Sequence, residues 1–165
     1  MPSTTSPGRL PLTRWRRGLG HGPSQETFRA KVLGPHFEHL ARNWTRWYAA
    51  PESLGGLRTR VASGTLPDPE NKTRHELDVV VFGRRPDGRE QILAIGEAKV
   101  GEAVGRGHLH RLEQLRDLLV ARDERAAADL KLLLFGGRGF SDGLEAQAQE
   151  RADVELVDLD RLYYG

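Results

Sequence analysis

The sequence predicts an α/β fold built on a mixed β-sheet, and three stretches carry that prediction. Residues 77–82 and 91–99 are short, apolar and rich in β-branched side chains, with Pro86-Asp87-Gly88 between them, so they read as an antiparallel hairpin. Leu109, Leu112, Leu115, Leu118 and Leu119 recur at helical spacing over residues 108–122. Residues 130–135 form a continuous apolar run, the signature of a strand covered on both faces. A hairpin supplies antiparallel neighbours and helical crossovers supply parallel ones, which makes the sheet mixed and flanked by helices.

Taken in order, residues 1–22 are rich in Pro, Ser, Thr, Gly and Arg without periodicity, which predicts a disordered or loosely attached leader before one domain over residues 23–165. Within the leader, Arg14-Trp15-Arg16-Arg17 has the composition either of a solvated tail or of a cluster that stacks on and neutralises nucleic acid. Ser24 is placed to cap a short helix through Lys31. Gly34-Pro35 restarts a longer one, with proline at its first turn, and Phe37, Leu40, Ala41, Trp44 and Tyr48 form one apolar stripe along it. On that spacing Trp44 and Trp47 belong to the core or its shoulder. Residues 51–56 break the helix, and residues 57–61 alternate as a half-exposed strand with Arg58 and Arg60 on one face. Residues 64–74, with Pro67 and Pro69, read as a loop into the hairpin.

Beyond the leucine-striped helix and the apolar run, Gly136-Gly137-Arg138-Gly139 leads to Ser141, which is placed to cap another helix. A glycine loop feeding a helix either holds a phosphate or serves as a tight connection. Residues 154–159 read as a last short strand before a polar, aromatic end.

Three charges interrupt the otherwise core-like hairpin: Asp78, Glu97 and Lys99. An unpaired ionised side chain is expensive to bury, so these groups require each other, a metal ion or open solvent. Residues two apart in a strand share a face, which sets Glu97 and Lys99 together on the side of Leu93 and Ile95. Hairpin pairing brings Asp78 to the same place. Two carboxylates converging there repel unless a hard divalent cation lies between them, and oxygen donors with retained water suit Mg²⁺ or Mn²⁺. Glu76 shares the strand face of Asp78, and either supports a second ion or is merely exposed at a strand start. The competing reading is a Glu97–Lys99 ion pair with a strand-edge Asp78, a feature of little energetic weight.

Leu77-Asp78 followed by Glu97-Ala98-Lys99 resembles the motif of the PD-(D/E)XK nuclease superfamily, with leucine standing where the motif has proline. The runs GPHFEHLARNW, HELDVVVF, ILAIGEAKV, LLLFGGRGF and DVELVDLDRLY, in that order over residues 34 to about 162, are most similar to the nuclease-like C-terminal domain of archaeal-type ATPases. The resemblance implies a three-layer, restriction-endonuclease-like fold with an αβββαβ core. It implies a metal-dependent phosphodiesterase acting on DNA, or alternatively on RNA, by attack of a metal-activated water. Asp78, Glu97 and the carbonyl of Ala98 are implied as metal ligands, and Lys99 as the group that orients or activates the water. Glu38 is implied as a glutamate that reaches the site from the first helix, against the plain alternative of a surface residue in a first helical turn. Gln114 is implied as a further polar site residue on the leucine-striped helix, with His110 one turn earlier, against the alternative of solvated flanking positions. A second implication is a catalytically idle nucleic-acid-binding or regulatory module that docks on a separate ATPase.

Composition narrows the classes. The 165 residues include no cysteine, which excludes disulfides, zinc-thiolate sites and thiol catalysis. No apolar run has the length of a membrane span and the N-terminus lacks a secretory pattern, so a cytoplasmic protein without a membrane partner is expected. There is no GxxxxGK[ST], so any ATP-driven step must come from another chain. Residues 1–74 carry 12 Lys and Arg against 5 Asp and Glu, while residues 75–165 carry 13 against 18. The basic first half is either a source of phosphate contacts or an ordinary arginine-rich surface. A homodimer would suit double-strand cleavage, although no heptad argues for one.

Overall fold

A computed structural model describes residues 32–84 and 87–164. The expected leader, the short helix from Ser24 to Lys31 and Pro86 of the hairpin turn lie outside them. Helix α1 (Gly34–Trp47) has proline in its first turn and buries Phe37, Ala41 and Trp44, so its stripe packs as the spacing requires. The stripe fails at the end: Trp47 and Tyr48 are exposed, because the helix stops at Trp47 and the chain turns away from the sheet. A single turn, α2 (Pro51–Leu54), buries Leu54 and ends at Gly55, whose φ of 78° favours glycine.

The five strands are β1 (Arg58–Asp68), β2 (Thr73–Arg84), β3 (Glu90–Lys99), β4 (Ala126–Gly136) and β5 (Val154–Asp158). They lie in the order β1-β2-β3-β4-β5. Pairing is antiparallel for β1–β2 and β2–β3 and parallel for β3–β4 and β4–β5, giving the mixed sheet the sequence predicts. Helix α3 (Arg106–Arg122) makes the crossover from β3 to β4, and α4 (Asp142–Gln149) the one from β4 to β5. Ser141 caps α4 as expected, its Oγ accepting from the Leu144 N–H. A last turn of helix, α5 (Leu159–Tyr164), follows β5.

Residues 64–74 are not the loop their prolines suggest. Strand β1 runs through Pro67 to Asp68, β2 begins at Thr73, and Pro67 pairs with Arg74. An edge strand tolerates proline because its outward N–H has no partner to lose. The turn shrinks to residues 69–72, held by the buried carboxylate of Asp68, which accepts from Asn71 N–H (3.3 Å), Asn71 Nδ2 (2.7 Å) and His75 Nε2 (3.4 Å).

Helices cover both sheet faces. On one face α3 and α4 pack Leu109, Leu112, Leu115 and Leu144 against Leu77, Val80, Ile95, Leu132 and Leu134. On the other, α1 packs Phe37, Ala41 and Trp44 against Val79, Val81, Leu133 and Phe135, with the Trp44 ring edge-on to Phe135 at 6.0 Å. Each fully buried leucine or phenylalanine contributes about 1.5–3 kcal/mol relative to exposure. Residues 132–135 are buried on both faces, which is why the run reads as uninterrupted hydrophobicity. No helix among the described residues is long and apolar enough to cross a membrane.

Register shifts overturn two face assignments. Between Val81↔Ala94 and Phe82↔Ile92 one extra residue enters β3, so Leu93 joins Ala94 on the α1 side while Ile95 faces α3. Glu97 and Lys99 therefore share a face with Ile95 but not with Leu93. A shift between Arg58 and Arg60 likewise splits those arginines. Arg58 turns to the end of α1, and Arg60 lies over the Phe82 ring at 3.6 Å.

Candidate active site

The hairpin β2–β3 forks. Its pairing ends at Val79↔Gly96, although β2 remains paired to β1 as far as Thr73 and β3 to β4 as far as Lys99. The register against β1 also slips here, from Ala62↔Val80 to Gly64↔Leu77, so one extra β2 residue is accommodated around Asp78. Bulges of this kind re-aim a side chain. At this one the carboxylate of Asp78 turns into the fork, where its Oδ2 accepts from the Ala98 N–H at 2.8 Å. Arg42 of α1 locks the same residue from behind, donating from Nη1 to the Asp78 carbonyl at 2.8 Å.

Glu97 occupies the other arm of the fork and is only 4% exposed. Its Oε1 lies 3.0 Å from Lys99 Nζ and 3.0 Å from Arg111 Nη1. Its Oε2 is buried and has no hydrogen-bond partner among the described residues. Such an orphaned carboxylate oxygen is costly to keep; among the described residues Trp44 Nε1 and Arg116 Nε are buried without a partner as well.

Two carboxyls around the fork have raised pKa values. Burial pushes the Asp78 carboxyl above its ordinary range, with the Glu97 charge adding to the rise while the Ala98 N–H, Lys99 and Arg111 oppose it. Glu38 is likewise raised, by burial first and then by the Asp78 charge, with Arg42 opposing. Arg42 links Glu38 of α1 to the fork: the same Nη1 that donates to the Asp78 carbonyl lies 3.8 Å from the Glu38 carboxylate. Glu76 adds to the rise at Glu38 from an exposed position.

Gln114 stands apart from this group. It is exposed, one turn beyond Arg111, and contacts His110 Nε2 at 3.3 Å. Arg111 is the α3 residue that reaches Glu97, and sequence reasoning missed it. The available signal was its place three residues before Gln114, flanking the leucine stripe. Arg111 and Gln114 also line a cleft of about 500 Å³ with Asp68 and His75, between α3 and the β1–β2 turn. The Arg111 guanidinium thus touches both the fork and an open cavity large enough for part of a polymer chain.

The chain matches no family model, no curated protein and no solved structure. Its site is therefore read from geometry and chemistry alone.

Among the described residues no three His, Cys, Asp or Glu side chains cluster as a ready-made cation cage. Mg²⁺ does not require one, since it commonly binds through one or two carboxylates and keeps several waters. Glu97 Oε2 and the Asp78 carboxylate are donors of that kind. Ala98 contributes its N–H to holding Asp78. By donor chemistry the two carboxylates, with Glu97 Oε2 unpartnered, are of the kind a hard divalent cation takes.

Proposed function

We propose that this chain is a metal-dependent phosphodiesterase of the PD-(D/E)XK type, with a restriction-endonuclease-like fold, acting on DNA. One observation carries the reading: a buried glutamate, bridged to a lysine two residues on, leaves one oxygen unpartnered where the β2–β3 ladder ends and a register slip falls at Asp78 of the neighbouring strand.

The bound cation supplies Lewis-acid polarisation of the phosphodiester and a more acidic water. Asp78 and Glu97 would hold such a cation, and the Ala98 N–H fixes the Asp78 carboxylate. Lys99 is a compact charge that orients the attacking water and offsets negative charge growing on the phosphoryl oxygens. Arg111, with a planar guanidinium open to the cleft, binds a neighbouring phosphate of the strand. Water oxygen attacks phosphorus in line and gives up a proton to solvent, the bond to the departing strand breaks, and the departing oxygen takes a proton from solvent.

Incubating the purified chain with supercoiled and branched DNA in Mg²⁺ or Mn²⁺ tests the reading. Cleavage by wild type that Asp78→Ala and Lys99→Ala each abolish is expected. Equal residual cleavage by all three proteins means contamination and overturns it.

A second reading, a catalytically idle module that docks on a separate ATPase, is favoured by one feature. Lys99 and Arg111 together already neutralise Glu97. Mn²⁺ binding without turnover on any DNA would favour that module.

A further inference from the structure

We propose that the groove at the C-terminal end of α1 is a second, separate nucleic-acid site that takes unpaired strand, with Trp47 and Tyr48 as its base platform. The groove encloses about 820 Å³, and its lining includes Trp47, Tyr48, Leu57, Arg46 and Arg58. Trp47 is 68% exposed, Tyr48 66% and Leu57 77%. Three large apolar side chains standing together in water mark a surface that something covers.

Charge says what covers it. Among the described residues no carboxylate lines the groove. Arg58 is pinned by donating from Nε to the Arg46 carbonyl (2.6 Å) and from Nη1 to the Ala49 carbonyl (2.7 Å), and Arg46 donates from Nη2 to the Val61 carbonyl (3.0 Å). These bonds fix the Arg58 guanidinium against the negative end of the α1 dipole and the Arg46 guanidinium against β1. They leave the charges themselves uncompensated: among the described residues neither arginine makes an ion pair with a carboxylate, whereas Arg60 spends its charge on Glu90. Immobilised, unneutralised guanidiniums beside exposed aromatic faces complement a polyanion whose bases are free to stack. A protein partner would have to bring carboxylates to both arginines. A duplex offers phosphates but no base faces.

The groove lies about 14 Å along α1 from Glu38, given nine residues at the helical rise. The inference does not rest on the phosphodiesterase reading, since the platform would serve an idle module equally well.

The test uses the full chain in a chelator, so that no divalent cation contributes, with a labelled oligodeoxythymidylate about 12 nucleotides long, within the usual site size. Anisotropy should show binding that Trp47→Ala and Tyr48→Ala each weaken by about five- to hundredfold, the range for losing one stacked base. Both side chains are exposed, so the variants should keep the wild-type circular dichroism. Two phosphate contacts should give a log–log salt slope of about −1.4. The oligonucleotide should quench tryptophan fluorescence in wild type and in Tyr48→Ala but not in Trp47→Ala. No binding, equal binding by wild type and both variants, or a duplex bound as tightly as the single strand overturns the proposal.

Discussion

The carboxylate of Asp78 accepts the N–H of Ala98 at 2.8 Å, where the β2–β3 ladder has already ended at Val79↔Gly96. A side chain thus satisfies a backbone donor that the ladder no longer reaches. The strands can separate without orphaning that N–H, and Glu97, with its unpartnered oxygen, is the β3 residue next after the last paired one, Gly96.

The raised pKa of Asp78 makes a stability prediction with a definite sign. In the unfolded chain this carboxyl titrates near its ordinary value of about 3.9; in the fold burial raises it. Its stabilising contribution is fully present below the unfolded value and lost as pH rises through the folded one. Asp78→Asn, which stays neutral and can still accept from Ala98, should melt above wild type at pH 7, with the gap narrowing towards about pH 4. A lower melting temperature at pH 7 contradicts a destabilising buried charge at this position.

Asp153 should behave in the opposite way. Its hydrogen bonds from Arg151, and secondarily from Arg116, lower its pKa to about 2, and Arg151 also bridges to Glu113 of α3. Stability from this network is present above the unfolded value and lost as pH falls towards about 2. Acid titration followed by circular dichroism should show Asp153→Asn less stable than wild type at pH 6, and the two converging at the acid end. Parallel curves throughout would remove Asp153 from the acid response.

Arg111 competes with a metal ion for Glu97. Arg111→Gln strips one of two cations from a buried carboxylate, and should cost about 1.5–3 kcal/mol of unfolding free energy, the worth of a hydrogen bond to a charged group. The same change should tighten Mn²⁺ binding by about tenfold while weakening DNA binding. Denaturant titration and calorimetry on one preparation separate these effects. Unchanged metal affinity means Arg111 does not restrain Glu97.

Gly96 sets how closely β3 approaches its neighbours just before Glu97. A Cβ there would lie 3.0 Å from both the Cβ and the carbonyl oxygen of Leu133 and 3.2 Å from the Val79 Cβ. Backbone cannot give way as a side-chain tip can, so Gly96→Ala should destabilise by about 1–3 kcal/mol in urea unfolding.

Periodicity carried most of the architecture, because the leucines of α3 and residues 132–135 of β4 are buried in the way their spacing demands. It failed where geometry departs from period two or 3.6. The extra residues near Asp78 and at Leu93 flip faces without any mark in composition. Pro67 announced a loop yet lies in an edge strand, since only its place at the sheet margin makes proline harmless. Trp47 fits the α1 stripe by number but falls where the helix ends. Of the site, the three hairpin charges were legible as anomalies in apolar strands. Arg111 was not, because an arginine beside a leucine stripe is an ordinary solvated residue until tertiary packing sets it 3.0 Å from a buried glutamate.

Calorimetric titration of the metal-free chain with Mn²⁺ asks most directly whether Asp78 and Glu97 share one cation. One ion per chain, lost in both Asp78→Ala and Glu97→Ala while circular dichroism stays at wild type, is the expected result. No heat of binding in wild type, or an unchanged isotherm in both variants, would contradict it.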